Sequence, residues 1–169
     1  MMLGTVWKGL ESSAVGSFVA GSSWAFPTIE CIHVIALVTV VGSIAVMDLR
    51  LLGMTSRACS VTATSRDTLP FTWGAFVLAV ITGLLLFVSK ASVYMVNPWF
   101  LLKMGALALA GANMAVFHLT TWHGVATWDA NPAATPRAAK ISAALSLLFW
   151  VCVVFFGRAI GFTLGIYEP

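Results

Sequence analysis

The chain has 169 residues, of which 60% are apolar and only 9% are charged. Soluble domains carry charge on about a quarter of their residues, so this composition excludes a soluble globular domain and indicates an integral membrane protein. The net charge is +3. Because the basic residues stand at the ends of apolar segments and form no patch, nucleic-acid binding has no support.

The first element in chain order is predicted to be a short amphipathic helix over about residues 5–20. Its apolar side chains fall near one another on a helical wheel, while Lys8 and Glu11 fall mostly elsewhere. This pattern is typical of a helix that lies in the membrane interface.

Four apolar segments follow, and each is long enough to cross a ~30 Å hydrocarbon layer as a helix. We predict spans over about 28–52, 71–93, 99–122 and 139–160, with polar loops at 53–70 and 123–140. The fold class is therefore all-α: one integral membrane four-helix bundle with a short N-terminal interfacial helix. Small residues in span three are expected to let helices approach closely; they include Gly105, Ala108, Gly111, Ala112 and Ala115.

The basic residues predict the orientation of the chain. Five of them belong to the two longer loops and their flanks, namely Arg50, Arg57, Arg66, Arg137 and Lys140. Fewer lie at the opposite face, so the loops are expected in the cytoplasm and both termini in the periplasm. The three cysteines have no CxxC spacing and are interpreted as small core residues.

Ionisable side chains inside a span are functional candidates, because each costs about 2.5–3.5 kcal/mol at the bilayer centre. Glu30 and His33 stand near the start of span one, three residues apart and hence on one helical face, where the carboxylate could orient the imidazole. Lys103 stands at the start of span three and Arg158 at the end of span four. All four are expected at the same side of the membrane.

These residue types favour a haem b site. Neutral imidazole is the usual axial ligand of haem iron, so His33 is the candidate ligand, with Glu30 behind it. The two haem propionates need cations where they are desolvated, and Lys103 and Arg158 are the candidates. The alternatives are a core histidine satisfied by Glu30 and a backbone carbonyl, and basic side chains that reach toward lipid headgroups.

His118 lies about 22 Å from Lys103 along span three, so His33 and His118 are not expected to bind one iron within a protomer. The second iron ligand stays open between Met104, water and a residue of another subunit. His118 is also a candidate metal ligand at the inner side, and with Met104 and Met114 it suits copper(I). Asp48 and Arg50 are interpreted as a charge-compensated cap at the inner end of span one.

Several runs resemble an uncharacterised family of bacterial four-helix integral membrane proteins. They are WAFPTIECIH at 24–33, DLRLLG at 48–53, TGLLLF at 82–87, NPWFLLK at 97–103, NMAVFH at 113–118 and SLLFW at 146–150. The layout of His33, Arg50 and Lys103 is more distantly similar to the CopD copper-resistance proteins and the HemJ-type protoporphyrinogen oxidases. That likeness implies haem binding at His33 and a functional role for Lys103. Asp48 and Arg50 stand where the HemJ span is aromatic-rich, which puts porphyrinogen oxidation in doubt.

The sequence therefore predicts a haem b-binding protein of the bacterial inner membrane that transfers electrons. It would work as a homo-oligomer or as the membrane subunit of a redox complex, and any catalytic activity would be that of a membrane oxidoreductase. Two alternatives stay open. One is CopD-like copper transport, and the other is a structural membrane subunit that holds no cofactor.

Overall fold

The computed structural model describes residues 2–55, 59–129 and 134–167, and within these ranges the regular structure is entirely helical. Seven α-helices follow one another there: α1 (Met2–Glu11), α2 (Ala14–Gly21), α3 (Ala25–Leu51), α4 (Val61–Ser89), α5 (Ala91–Val96), α6 (Pro98–Val116) and α7 (Arg137–Thr163). A π-helical turn at Phe117–Thr121 and a 3₁₀ segment at Trp122–Thr127 extend α6.

The four long helices α3, α4, α6 and α7 are apolar and long enough to cross a membrane. The antiparallel pair of α3 and α4 and the pair of α6 and α7 pack most extensively, and contacts between α3 and α7 join the two pairs. The helices α3 and α6 begin at the end of the bundle where α4 and α7 finish. We call this end the His33 end and the opposite one the Arg50 end. The predicted four-helix membrane fold is thus confirmed.

Polar caps fix where several helices begin. At the start of α2, the Ser13 hydroxyl accepts a hydrogen bond from the Gly16 amide. At the start of α4, the Ser60 hydroxyl accepts one from the Ala63 amide. Asn97 accepts from the Trp99 amide and precedes Pro98, which suits the first position of α6. Such side chains satisfy amides that have no partner inside the helix.

The predicted N-terminal helix over 5–20 is two helices, because the chain breaks at 12–13 where Ser13 caps α2. Both helices pack on α4, and α1 also packs on α5. The Glu11 carboxylate accepts hydrogen bonds from the amide and the hydroxyl of Ser92, at 2.8 and 2.6 Å. A Cβ on Gly16 would lie 3.0 Å from the Val88 carbonyl oxygen, so only glycine permits this approach of α2 to α4.

The polar loop predicted at 53–70 is shorter than expected. The helix α4 begins at Val61, ten residues before the predicted span start at 71, and it includes Arg66 and Pro70. Hydropathy detects only the part of a helix that meets hydrocarbon, whereas the Ser60 cap starts α4 in the polar region. Arg57, one of the basic residues used to predict orientation, lies outside the described residues.

The core lies in two clusters. One is at mid-depth and contains Val40, Ala106, Ala110, Trp150 and Val153. The other is at the Arg50 end, where Phe117 and Trp128 pack with Leu51, Val61, Ala139 and Ala143.

The small residues that bring α6 close to α7 are therefore not those predicted. Gly105, Ala108, Gly111, Ala112 and Ala115 are all exposed, because they fall on other faces of the helix.

The cysteines also differ from the prediction. All three are free thiols, and Cys31 and Cys59 are exposed, while Cys152 is partly buried. Apolar character does not distinguish a face toward lipid from a face toward the core, since both surroundings are apolar.

Candidate functional site

Three polar side chains and one glycine, one from each long helix, lie at a similar depth near the His33 end. His33 is eight residues into α3 and Lys103 is five residues into α6, whereas Thr82 is seven residues before the end of α4 and Gly157 is six before the end of α7. At about 1.5 Å per residue, these positions are roughly 8–12 Å from the helix ends. The bundle thus has a polar layer here, composed of His33, Thr82 and Lys103.

The His33 ring is held by α4. Its Nδ1 atom lies 2.9 Å from the Thr82 hydroxyl, and that hydroxyl lies 2.7 Å from the Leu78 carbonyl oxygen. A hydroxyl has one proton and a carbonyl can only accept, so the Thr82 proton goes to Leu78 and His33 Nδ1–H donates to Thr82. Nε2 is then the unprotonated nitrogen. The His33 ring also makes a backbone hydrogen bond to Ala79 of α4.

Gly83 provides the surface on which the His33 ring rests. A Cβ at Gly83 would lie 3.0 Å from His33 Cε1 and 3.5 Å from Nδ1. Even an alanine would therefore force the ring to move by a few tenths of an ångström. The ring itself is only partly buried, so the α3–α4 pair fixes its orientation without enclosing it.

Lys103 reaches the same layer from α6. Its side chain runs along Gly157 of α7, where a Cβ would lie 3.5 Å from Nζ and 3.7 Å from Cε. The ammonium group acts electrostatically on the His33 ring. Lys103 has no hydrogen bond or ion pair to any residue that the structure describes. A cation without a counter-ion at this depth is suited to an anionic group brought by another molecule.

Glu30 does not orient His33 as the i,i+3 spacing suggested. It is exposed, and the ring instead donates its Nδ1 hydrogen bond to Thr82. Glu30 acts on Tyr94 of α5: burial, and to a lesser degree the negative charge of Glu30, raise the pKa of Tyr94 to about 12. Glu30 therefore belongs to the rim of the site, next to α5.

An aromatic cluster connects α4, α5 and α6 above the polar layer. Phe87 stacks on Phe100 with 5.6 Å between ring centroids, and Tyr94 lies 6.2 Å from Phe87 and 5.3 Å from Phe100. Trp7 of α1 meets Phe87 edge-on at 6.0 Å. These rings join α1, α4, α5 and α6 near the ends of the helices at the His33 end.

The other predicted cofactor residues lie apart from His33. Met104 is exposed on α6. Arg158 is exposed on α7, with its guanidinium 4.6 Å from the ring centroid of Phe162. The contacts of Arg158 and those of His33 share no residue among those described. Arg158 lies as far from the end of α7 as Lys103 lies from the start of α6, but only Lys103 of these two predicted propionate cations acts electrostatically on the His33 ring.

His118 lies at the opposite end of α6, in the π-helical turn, and is exposed. Its Nδ1–H donates to the Met114 carbonyl at 2.9 Å, and its ring lies 5.6 Å from that of Trp122. Within the described ranges, no group of three or more histidine, cysteine or acidic residues could hold a metal ion.

The Arg50 end contains a second polar cluster. Arg50 is fully buried, donating from Nε to the Cys59 carbonyl at 2.8 Å and from Nη2 to the Asp129 carbonyl at 3.3 Å. Asp48 is buried as well, and its side-chain hydrogen bond is to Ser146 of α7. The predicted Asp48–Arg50 cap is therefore wrong, because two residues along a helix point in different directions and each finds its own partners.

Asp129 joins the two loops at this end. Its carboxylate accepts from the Thr62 amide at 2.8 Å and from the Thr62 hydroxyl at 2.6 Å, so it helps to cap α4. Partial desolvation raises the pKa of Asp129, but these hydrogen bonds together with the Arg50 charge outweigh it and hold the pKa below its ordinary value. The sequence alone did not indicate this role.

The four long apolar helices make the protein a multi-pass α-helical membrane protein. The chain belongs to the family of unknown function DUF6644, whose model matches residues 10–163. No curated protein and no solved structure matches the chain. The likeness to CopD and HemJ-type proteins gains no support from these matches and stays a resemblance of sequence layout.

Proposed function

We propose that the protein binds haem b and transfers electrons, as a homo-oligomer or as the membrane subunit of a redox complex. The observation that carries the proposal is the state of His33. An imidazole that ligates a metal typically donates its other ring N–H to a nearby acceptor, which fixes the tautomer and the ring orientation. The hydrogen bond from Nδ1 to Thr82 does this here and leaves Nε2 as the ligand atom.

The charge of the polar layer fits the same cofactor. Haem carries two propionates, and Lys103 supplies an ammonium group in the layer of His33 that has no counter-ion among the described residues. A lysine–propionate pair would offset the cost of holding either charge away from water. Lys103 runs along Gly157 of α7, so the lysine stem is packed between α6 and α7.

The partial exposure of His33 bears on what else would surround the cofactor. Because the ring is only partly buried, lipid or another subunit would have to complete the site. This supports an assembly with a second copy or a partner subunit, which could also supply the second iron ligand. When bound, the haem iron would supply one-electron chemistry, while the residues described here bind and orient it.

A structural membrane subunit is the second candidate. The hydrogen bond between His33 and Thr82 by itself joins α3 to α4, and a core histidine could serve this purpose alone. Copper transport has no comparable observation behind it: Met104, Met114 and His118 are exposed and do not form a cluster.

Absorption spectroscopy tests the proposal. The purified protein, titrated with haem b in detergent, is expected to give a b-type reduced-minus-oxidised spectrum at one haem per His33 site. His33→Ala is expected to lose this spectrum, whereas His118→Ala is the matched control that keeps it. A wild-type protein that takes up no haem, or a His33→Ala variant that binds haem as tightly as the wild type, would contradict the proposal and favour the structural subunit.

A glycine substitution tests the ring geometry separately. Gly83→Ala introduces a methyl group 3.0 Å from His33 Cε1, so we expect at least tenfold weaker haem binding as the ring turns. Gly74→Ala, in the same helix and with nothing within 4 Å of its new Cβ, is the control and should bind haem normally. Equal affinities in the two variants would show that the Gly83 contact does not position the ligand.

A further inference from the structure

A groove lies on the outer surface of α6 and α7 at the His33 end. Its volume is 240 Å³, and it is lined by Trp99, Phe155, Arg158, Ala159, Phe162 and Thr163. The lining is apolar except for one charged group, the Arg158 guanidinium, and the Thr163 hydroxyl. The groove shares no residue with the His33–Thr82–Lys103 layer.

The groove is rigidly built. Trp99 and Phe155 meet edge-on at 6.2 Å and form one wall. The floor is secured by a hydrogen bond of 3.0 Å from the side-chain amide of Asn97 to the Thr163 hydroxyl, and Asn97 is fully buried. The same asparagine caps α6, so the start of α6 and the end of α7 are tied together at the groove.

Arg158 is held with its N–H donors available. Its guanidinium lies over the Phe162 ring at 4.6 Å, a cation–π contact that uses the flat face of the group. The donors around the edge of the guanidinium stay free for a planar or tetrahedral oxyanion, which guanidinium binds through paired hydrogen bonds. No acidic side chain in the described ranges forms an ion pair with Arg158.

The position of the groove identifies its occupant. Arg158 is five residues before the end of α7 and Trp99 is at the start of α6, which is where a spanning helix meets the headgroups. We propose that the groove binds an anionic glycerophospholipid such as phosphatidylglycerol, with its phosphate on Arg158 and an acyl chain along Phe155. The uncompensated positive charge favours an anionic lipid over a zwitterionic one, whose own cation would be brought near Arg158.

Quenching of Trp99 fluorescence by brominated lipids tests this proposal. The full chain is reconstituted in vesicles that contain either brominated phosphatidylglycerol or brominated phosphatidylcholine, and the Trp99 contribution is taken as the difference between wild type and Trp99→Phe. We expect half-maximal quenching at an about threefold lower mole fraction of phosphatidylglycerol. Arg158→Gln should abolish this preference, and Arg66→Gln, on an exposed arginine of α4, should keep it.

Two results would overturn the proposal. Equal quenching by the two lipids in the wild type would mean that the groove holds ordinary boundary lipid without selection. A preference that survives in Arg158→Gln would place the anion elsewhere. Circular dichroism of each variant confirms that the helices are retained, so that a change in quenching reports the lipid site.

Discussion

Replacing Arg50 tests how the Arg50 end is held together. In Arg50→Met the aliphatic stem is kept, but the hydrogen bonds to the carbonyls of Cys59 and Asp129 are lost. The Cys59 bond, at 2.8 Å from a charged donor, is worth about 1.5–3 kcal/mol. The Asp129 carbonyl loses less, because its bond from Arg50 is longer and it still accepts from the Val61 amide at 3.2 Å.

One effect works in the opposite direction. Arg50 Nη1 is buried without a hydrogen-bond partner among the described residues, and removing it relieves about 1–3 kcal/mol of desolvation. The losses at Cys59 and Asp129 exceed this relief only modestly, so we expect Arg50→Met to lower the free energy of unfolding by about 1 kcal/mol. Arg50→Lys should be the worse variant, since it keeps a buried charge that cannot reach both carbonyls and is therefore left incompletely hydrogen-bonded.

Unfolding of the detergent-solubilised protein by a denaturing detergent, followed by circular dichroism, gives these free energies. Arg66→Met is the matched control, because Arg66 is exposed on α4, and it should change stability by less than about 0.5 kcal/mol. If Arg50→Met is no worse than this control, or if Arg50→Lys equals the wild type, then the carbonyl contacts of Arg50 do not stabilise this end.

Three further predictions concern the ends of the bundle. The pKa of Asp129 is depressed in the folded protein, so its contribution to stability as a cap, about 1 kcal/mol, is present above its ordinary pKa of 3.8 and is lost as the pH falls through the lower folded value. Asp129→Asn should remove this loss of stability at acid pH from a pH series of unfolding curves. An unchanged series would exclude the Asp129 carboxylate as the source of the loss. Gly16→Ala should destabilise the N-terminal helices, because its Cβ would lie 2.7 Å from two backbone oxygens. Gly21→Ala is the control and should be neutral, because its Cβ meets nothing within 4 Å. Thermal unfolding compares the two variants, and equal melting temperatures would refute the close approach of α2. In an ultraviolet titration, Tyr94 should ionise near pH 12, at a higher pH than an ordinary tyrosine, and Glu30→Gln should lower the midpoint of that titration. A Tyr94 that ionises near pH 10 would mean that its side chain is not buried.

The fold could be predicted from the sequence because hydropathy and length are local properties. The start of α4 could not, since residues 61–70 are polar and their helix depends on the Ser60 cap and on Asp129, far away in sequence. The packing face of α6 could not be predicted either. Ala106 and Ala110 are buried while Gly105 and Gly111 are exposed, and both faces are apolar, so only the partner helix distinguishes them.

The candidate site was predicted in part. His33 and Lys103 are ionisable residues at the same depth, and depth follows directly from position in a span. The partner of His33 could not be predicted, because Thr82 is 49 residues away in sequence, whereas Glu30 stands at the i,i+3 position where a helical neighbour is expected. Matching depths in antiparallel spans would have indicated the pair TG at 82–83, since it lies opposite His33 in the α3–α4 hairpin.

The contacts of Arg50 have a consequence for the order of assembly. During synthesis, the α3–α4 hairpin is complete about forty residues before Asp129 leaves the ribosome. Until then one carbonyl partner of Arg50 does not exist, and the start of α4 lacks the carboxylate that helps to cap it. Arg50 therefore has only its Cys59 partner until the second hairpin is made. We expect a truncated chain that ends before residue 129 to keep the α3–α4 hairpin but to be less stable at the Arg50 end than the full chain.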